Sequence, residues 1–269
     1  MSREVMIEYW QDLTTTDFGT LNRESTLVIL PVAAVEQHGP HLPLGTDLLI
    51  NRGILAAAEK YLTEGIRVLV LPEQAVGDSL EHSAFAGTLT LQPESLLMTW
   101  TAIGCAVARS GLRKLVIFNS HGGQTGLVDQ VALRLRVEQR MLVVRANYFA
   151  FPTPPGLFSS DELAYGLHGG ELETSILLHL HPELVRRDAL RDFAWPDTAP
   201  DALLQPERPV GYGWMSQDLN PTGAVGNAAH ADAERGSHLL DHLGRSLAVL
   251  LSETAAMSLD ALRDGPETG

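Results

Sequence analysis

Short apolar runs alternate along the chain with longer segments whose apolar positions recur at helical spacing. Four of the short runs are apolar almost throughout, which is typical of strands buried on both faces: residues 26–35, 66–71, 114–119 and 141–147. The longer segments predict helices: residues 46–62, 93–109, 126–137, 171–179 and 231–252. Residues 182–226 are rich in Pro, Asp and Gly, and we expect long loops there.

Strands that alternate with helices imply right-handed crossovers and a mostly parallel sheet covered on both faces, which is an α/β fold. The chain shows no internal repeat and no domain boundary, so we expect residues 1–269 to form a single domain. In sheets of this kind, ligands bind in the loops at the carboxyl ends of the strands. Residues that carry chemistry are therefore expected directly after the predicted strands.

The first such segment is Glu36-Gln37-His38, at the end of the first predicted strand. Residues two apart in an extended segment point to the same side, so Glu36 and His38 can reach one ion or two adjacent ions. The Gly and Pro residues that follow fit a tight loop, which would bring Asp47 back at the start of the next helix. A carboxylate at that position can bridge two ions, since each oxygen can bind one.

Two further segments carry the same residue types. His121 comes directly after the third predicted strand, and the glycines at 122 and 123 let the backbone approach closely. His168 precedes a glycine-hinged entry into a helix that also carries Glu171 and Glu173. Any one of these residues has a simpler interpretation as a loop histidine or as a carboxylate that complements the helix dipole. It is their combination at one edge of the sheet that predicts a site.

Together the segments offer histidine nitrogen and carboxylate oxygen without a thiolate. This ligand set suits Zn²⁺, Mn²⁺ or Fe²⁺ and disfavours copper(I) and iron–sulfur clusters. Five plausible ligands exceed what one tetrahedral ion needs. A pair of ions about 3.5–4 Å apart that shares Asp47 and a water would use them all.

The charge of the chain disfavours several partners. It has 33 acidic and 19 basic residues and a formal charge of −14, which repels phosphate backbones and anionic membranes. Nucleic acid and membrane are therefore not expected as partners. One cysteine, Cys105, excludes an internal disulfide and lies in an apolar run that indicates a structural thiol. With no signal-peptide pattern at residues 1–5 and no apolar run of membrane-spanning length, we expect a cytoplasmic protein.

The segments that carry these residues resemble the creatininase (creatinine amidohydrolase) family. Residues 36–47 (EQHGPHLPLGTD) resemble its first metal motif along their whole length, and residues 118–124 (FNSHGGQ) resemble its second, commonly Asn-X-His-Gly-Gly-Asn. Residues 168–175 (HGGELETS) resemble a third motif. Residues 81–90 resemble a block that lines the site, with Ala86 where Pro is common. The resemblance covers roughly residues 25–255.

The resemblance implies a three-layer α/β/α fold, two divalent ions, homo-oligomers (hexamers are known in the family) and amide or lactam hydrolysis. By the same resemblance, Glu36 and His121 hold one ion, His38 the other, and Asp47 bridges them, while His168 transfers protons. Creatininase itself has a glutamate two residues after the second-motif histidine, where this chain has Gly123. The missing carboxylate must come from elsewhere; Glu173 is chosen, and Glu171 stays open.

The favoured function is hydrolysis of a C–N bond in a small cyclic amide or formamide by water that two metal ions activate. Gly123 argues against creatinine itself, and family members with this His-Gly-Gly form deformylate formamidopyrimidines or cleave the mycofactocin precursor peptide. Two alternatives remain: a peptidase for short peptides, and a metal-binding homologue without catalysis. Glu81 and His82 either line the pocket and support a ligand or belong to an ordinary polar loop. Trp195 and Trp214 either close over a planar substrate or pack between subunits.

Overall fold

The computed structural model of this protein describes residues 6–195, 202–207, 209–263 and 265. A parallel five-stranded sheet, in the order β1-β3-β2-β4-β5, forms its centre. Its strands are β1 (Met6–Tyr9), β2 (Thr26–Val32), β3 (Arg67–Val70), β4 (Lys114–Asn119) and β5 (Leu142–Asn147). The inner strands are buried on both faces, as their continuous apolar sequences predict.

Helices cover both faces of the sheet. One core cluster joins the sheet to α1 (Thr46–Glu59), α5 (Glu171–Leu180) and α7 (Ala233–Ala256). A second cluster, on the opposite face, joins it to α2 (Pro93–Arg109) and α3 (Thr125–Gln139). Successive residues of β2 alternate between the two clusters, with Leu27 and Ile29 in the first and Val28 and Leu30 in the second. The predicted three-layer α/β/α architecture is confirmed.

Several boundaries differ from the sequence predictions. The first strand ends at Val32 rather than at residue 35, because the chain then turns out of the sheet to form the site. The helix predicted over 46–62 ends at Glu59, and the one predicted over 231–252 spans Ala233–Ala256. The end of each helix depends on where it stops contacting neighbouring elements, and the spacing of apolar residues carries no information on that point.

Other elements were missed. Strand β1 is a four-residue edge strand, too short for a periodic signal. The stretch predicted as long loops contains β6 (Asp192–Phe193), α6 (Ser216–Leu219) and β7 (Gly226–Asn227), where β6 and β7 pair antiparallel. A short helix, α4 (Ser160–Tyr165), precedes α5. Elements of two to six residues form here because of partners distant in sequence.

The length and apolar character of each helix show whether it could cross a membrane. Within the described residues, none of the helices combines the length and the apolar character needed to cross a bilayer. Residues 1–5, on which the predicted absence of a secretory leader rests, lie outside the described part of the chain.

Candidate metal centre

The residues predicted to form a site lie together at the carboxyl edge of the sheet. Glu36 and His38 follow β2, and His121 follows β4. Asp47 lies in the first turn of α1, and Glu173 in the first turn of α5. His168, Glu81 and His82 line the same cavity as Glu36, Asp47, His121 and Glu173.

The loop between β2 and α1 folds back as its Gly and Pro content predicts. The backbone N–H of Glu36 donates to the carbonyl of Leu44 over 2.9 Å, which closes the loop. The Thr46 hydroxyl donates to the carbonyl of Pro43 over 2.7 Å and fixes the start of α1. Asp47 then lies next to the helix N-terminus, where the dipole stabilises a carboxylate.

Three ligand atoms from Glu36, Asp47 and His121 form a first group and lie within 4.8 Å of one another. His121 Nδ1 is 3.2 Å from Glu36 Oε1 and 3.4 Å from Asp47 Oδ2. All three side chains are at least 97% buried. This group can hold one cation with one nitrogen and two oxygens.

A second group consists of His38, Asp47 and Glu173, again within 4.8 Å of one another. His38 Nε2 is 3.1 Å from Asp47 Oδ1 and 3.9 Å from Glu173 Oε2. Asp47 therefore presents one oxygen to each group. Glu171, the alternative to Glu173, instead pairs with Arg235. A third group joins Glu36 and His38 to His168.

The oxygens of these carboxylates fit cations better than hydrogen-bond donors. Both oxygens of Glu36 and Oδ2 of Asp47 are buried, and although nitrogens of His82 and His121 lie 3.2–3.4 Å away, no described group meets the geometry of a hydrogen bond to them. Each buried polar atom without a partner costs about 1–3 kcal/mol, and more when it is charged. Imidazole nitrogens and carboxylate oxygens that surround common points in this way form a donor set for divalent cations.

The ligand histidines are oriented by hydrogen bonds from their opposite nitrogens. His38 Nδ1–H donates to the Glu36 carbonyl over 3.1 Å, which leaves Nε2 free to bind. His121 Nε2–H donates to the Asp78 carbonyl over 2.7 Å, which leaves Nδ1 free. Bonds of this kind fix the tautomer and the ring plane of metal ligands. Glu173 is held by the Tyr148 hydroxyl, 3.1 Å away, and by the Gly169 N–H, 2.7 Å away.

His168 lies between two other imidazoles. Its ring centroid is 4.1 Å from that of His38 and 4.2 Å from that of His82. His168 Nε2–H donates to the Gln37 carbonyl over 2.6 Å, so Nδ1 carries the lone pair and lies 3.8 Å from Glu36 Oε1. Burial and the nearby charge of His38 lower the pKa of His168. A neutral imidazole at this position can accept a proton through Nδ1.

His82 contacts the same carboxylate from outside the two ligand groups. The Gln37 amide donates to His82 Nδ1 over 2.7 Å, so the proton of the ring is on Nε2, which lies 3.3 Å from Glu36 Oε1. Burial lowers the pKa of His82 to about 2, so the ring is neutral. This geometry favours the interpretation of His82 as support for a metal ligand.

Glu81 occupies the space that Gly123 leaves. A Cβ atom on Gly123 would collide with Glu81 Oε1 and lie 2.8 Å from His121 Nε2. Glu81 Oε1 is 3.5 Å from His121 Nε2, and burial raises the pKa of this carboxyl to about 7. The glycine at 123 and the glutamate at 81 therefore depend on each other sterically. Glu81 faces the cavity, as one of its two interpretations requires.

Residues of both ligand groups line a cavity of about 700 Å³. Its lining includes the aromatic residues Tyr148, Phe149, Phe151, Tyr165, Trp195 and Trp214. Trp214 is oriented by its indole N–H, which donates to Glu207 over 3.1 Å. Both tryptophans of the long loops thus face the cavity, as expected if they contact substrate.

Four contributors to this site were missed from the sequence. Asp78 and Gln37 act partly through backbone carbonyls, which carry no residue-type signal. Tyr148 follows β5 directly, so its position at the carboxyl edge could have marked it. Glu162 lies in α4 and lines the same cavity, but no motif marks it.

Comparison with known proteins decides the family. The family model for creatininase (creatinine amidohydrolase) matches residues 11–251. The chain belongs to the creatininase family. It is therefore a hydrolase of that family, as the resemblance in its motifs implied.

Two curated relatives differ in what they cleave. The mycofactocin precursor peptide peptidase of Mycobacterium tuberculosis (strain ATCC 25618 / H37Rv) is 32% identical over 235 residues, which cover 85% of each chain. The creatinine amidohydrolase of Pseudomonas putida is 29% identical over 243 residues, covering 84% of this chain and 89% of that protein. A solved creatininase variant of Zn–Zn type superimposes with a TM-score of 0.74 at 26% identity, covering 94% of this chain and all of that chain. Similarity thus extends to both a peptidase and a small-molecule amidohydrolase. The homo-oligomer expected from the sequence stays a prediction.

Binding of cations is expected to release protons. Burial lowers the pKa of His38, but Asp47, Glu173 and Glu36 outweigh it and raise the value to about 9 in the metal-free protein. The pKa of His121 is also raised well above 6.5, because Glu36 and Asp47 outweigh its burial. Both rings are therefore charged at pH 7 and must lose a proton to coordinate a cation.

Titration of the metal-free protein with Zn²⁺ at pH 7 should thus release at least two protons per chain, one from each ring, in addition to any proton that bound water loses. At pH 10 the contribution of His38 should vanish, because this pH lies above its raised pKa. Calorimetry in buffers of different ionisation enthalpy measures the number. Binding without proton release at pH 7 would show that these rings are not ligands.

Proposed function

We propose that this protein is an amidohydrolase with a two-cation centre, in which Glu36, Asp47 and His121 hold one ion and His38, Asp47 and Glu173 hold the other. The observation that carries the proposal is the position of Asp47, whose two oxygens belong to two different ligand groups. The Zn–Zn type of the solved relative supports the same count. Zn²⁺, Mn²⁺ and Fe²⁺ all suit these donors.

Bound at these residues, two divalent cations would supply Lewis acidity, which lowers the pKa of water towards neutrality and polarises an amide carbonyl. The chain's own residues do the rest. His168 accepts a proton at Nδ1 and returns it to the departing nitrogen, which would otherwise leave as a strongly basic anion. The Gln37 carbonyl holds the opposite nitrogen and keeps Nδ1 turned towards the cavity.

The size of the cavity bears on the substrate. A volume of about 700 Å³ falls within the range of pockets that enclose drug-sized molecules, roughly 300–1,000 Å³. A cyclic amide of one ring, or a formamide, would leave much of it to water. The aromatic residues that line the cavity offer stacking surfaces for further side chains. A short peptide is therefore the better supported substrate, in agreement with the mycobacterial relative, and a small cyclic amide or formamide is the second candidate.

A non-catalytic metal-binding homologue is less well supported. Such a protein would need the six ligand positions only. It would have no use for a neutral imidazole held at one nitrogen and open to the cavity at the other, as His168 is. A structural role also does not require a cavity of this size next to the ligands.

The proposal is tested by metal removal and substrate screening. We expect the purified protein to contain two divalent cations per chain, and we expect dialysis against EDTA to abolish turnover and Zn²⁺ or Mn²⁺ to restore it. The panel consists of short linear peptides, lactams, hydantoins and formamides. Turnover of the peptides alone would support the favoured substrate class, and turnover of the lactams alone would favour the second. Activity that survives complete metal removal would contradict the two-cation centre.

A further inference from the structure

Glu162 is a buried carboxylate to which the sequence analysis gave no role. It lies in α4, is only 6% exposed and lines the same cavity as the metal centre. Its Oε1 accepts the backbone N–H of Glu171 over 2.6 Å, and its Oε2 accepts the backbone N–H of Asn227 over 2.8 Å. One carboxylate thus joins α4, the first residue of α5 and the end of β7.

The space around this carboxylate is kept open by glycines. Added Cβ atoms on Gly166 and Gly170 would collide with Glu162 Oε1, and one on Gly226 would lie 2.9 Å from it. These three glycines come from two separate segments of the chain. A carboxylate that only capped the N-terminus of α5 would not need room made for it by the second segment.

The two segments that Glu162 joins are the ones that carry His168 to its position. His168 forms a backbone pair with Val225: the N–H of His168 donates over 3.0 Å and the N–H of Val225 over 2.6 Å. Just past this pair, the two segments run to Glu171 and Asn227, the two residues whose N–H groups Glu162 accepts. The Glu162 carboxylate therefore joins residues 168–171 to residues 225–227 beyond the backbone pair, and these two segments together form one small unit.

Two residues of the candidate metal centre, His168 and Glu173, depend on this unit for their positions. His168 lies inside it, and Glu173 lies just beyond it in the first turn of α5, where the Gly169 N–H holds its carboxylate. A shift of the unit would move the proton-transfer nitrogen and a ligand oxygen together. We infer that Glu162 is a positioning residue for the reaction, whose carboxylate clamps the His168–Glu173 segment to residues 225–227. This inference rests on the proposed function.

The test compares Glu162→Gln with Asp161→Asn. Both changes convert a carboxylate to an amide on α4, but Asp161 is exposed. The amide nitrogen that Glu162→Gln introduces would face one of the two N–H donors and break that bond. At saturating metal, we expect kcat to fall about 10- to 100-fold with KM nearly unchanged, since a displacement near 1 Å of a catalytic group costs about this much. We expect Asp161→Asn to keep both values.

Hydrogen exchange supplies a readout that does not depend on turnover. The backbone amides of Glu171 and Asn227 should exchange faster in Glu162→Gln, and their exchange rates should not change in Asp161→Asn. The backbone amides of β4 should stay protected in both variants. A folded Glu162→Gln protein with the kcat of the unaltered protein would overturn the inference. Should Glu162→Gln fail to fold, Glu162→Asp takes its place, because it keeps the charge but is too short to reach both donors; an unchanged kcat would again overturn it. If the unaltered protein binds no metal and turns over no substrate, the proposed function is refuted instead. The hydrogen-exchange result then still tests whether Glu162 holds the two segments together.

Discussion

Asp47→Asn is expected to weaken both cation sites at once and to reduce turnover more than 100-fold. Asp47 Oδ1 lies 3.1 Å from His38 Nε2, and Oδ2 lies 3.4 Å from His121 Nδ1, so each oxygen faces one ligand histidine. Asparagine keeps one side-chain oxygen and replaces the other with an NH₂ group, which donates hydrogen bonds and cannot bind a cation. Loss of outer-shell partners of metal ligands typically costs about 10–100-fold. Loss of a shared direct ligand should cost more.

The measurement is metal content after gel filtration, together with kcat on the best substrate of the panel. Asp129→Asn is the matched control, because Asp129 is an exposed carboxylate that pairs with Arg145 over 2.8 Å, away from the cavity. We expect it to keep both ions and full turnover. An Asp47→Asn protein that holds two cations and keeps full activity would remove the bridging role. A protein that loses only one cation would indicate two independent sites.

The core of the fold could be predicted from the sequence because its elements carry their own pattern. The predicted bounds of α2 and β4 agree with the structure at both ends. Pro93 starts α2 where the missing N–H costs little, and β4 is a short apolar run buried throughout. Strand β1 offers no such signal: it is an edge strand of four residues with Glu8 among them. Its pairing with β3 determines it, and that pairing is a long-range contact.

The candidate site was predictable where it follows strands and not where it depends on helix rotation. Glu171 and Glu173 are two residues apart, so their side chains leave α5 about 200° from each other. Only one of them can face the cavity, and the sequence does not say which. In the structure Arg235 of α7 pairs with Glu171, so Glu173 faces the ligand group. Packing between α5 and α7, not any local motif, determines this.

Support for the ligands was harder to predict than the ligands themselves. The carbonyl of Asp78 and that of Gln37 hold His121 and His168, and every residue type has a carbonyl. Glu162 lies six residues before His168, the nearest residue of the site in the sequence, in a segment without a motif. Its position becomes meaningful only when residues 225–227 come to lie beside it. Interactions of this kind appear only once the fold brings distant segments together.

His168→Ala is expected to keep both cations and to lose about 10²–10⁴-fold in kcat, the usual contribution of a positioned acid–base group. His168 belongs to neither of the two groups that share Asp47, so its removal leaves six donor positions in place. It takes away the only described imidazole that combines a carbonyl-bound Nε2 with an Nδ1 near Glu36 and lies outside those two groups. Metal content and kcat, measured on the same sample, separate the two effects.

His179→Ala is the control for this change, since His179 is an exposed histidine on α5, and it should leave both values unaltered. Added imidazole should restore part of the activity of His168→Ala, because the truncated side chain leaves room between the rings of His38 and His82. Rescue should increase with pH through the pKa of imidazole, since only the neutral form can accept a proton. Loss of a cation in His168→Ala would instead make His168 a ligand, as its group with Glu36 and His38 allows. Wild-type kcat in the same variant would leave the proton transfer to another residue, and Glu81 at the cavity wall would be the next to replace.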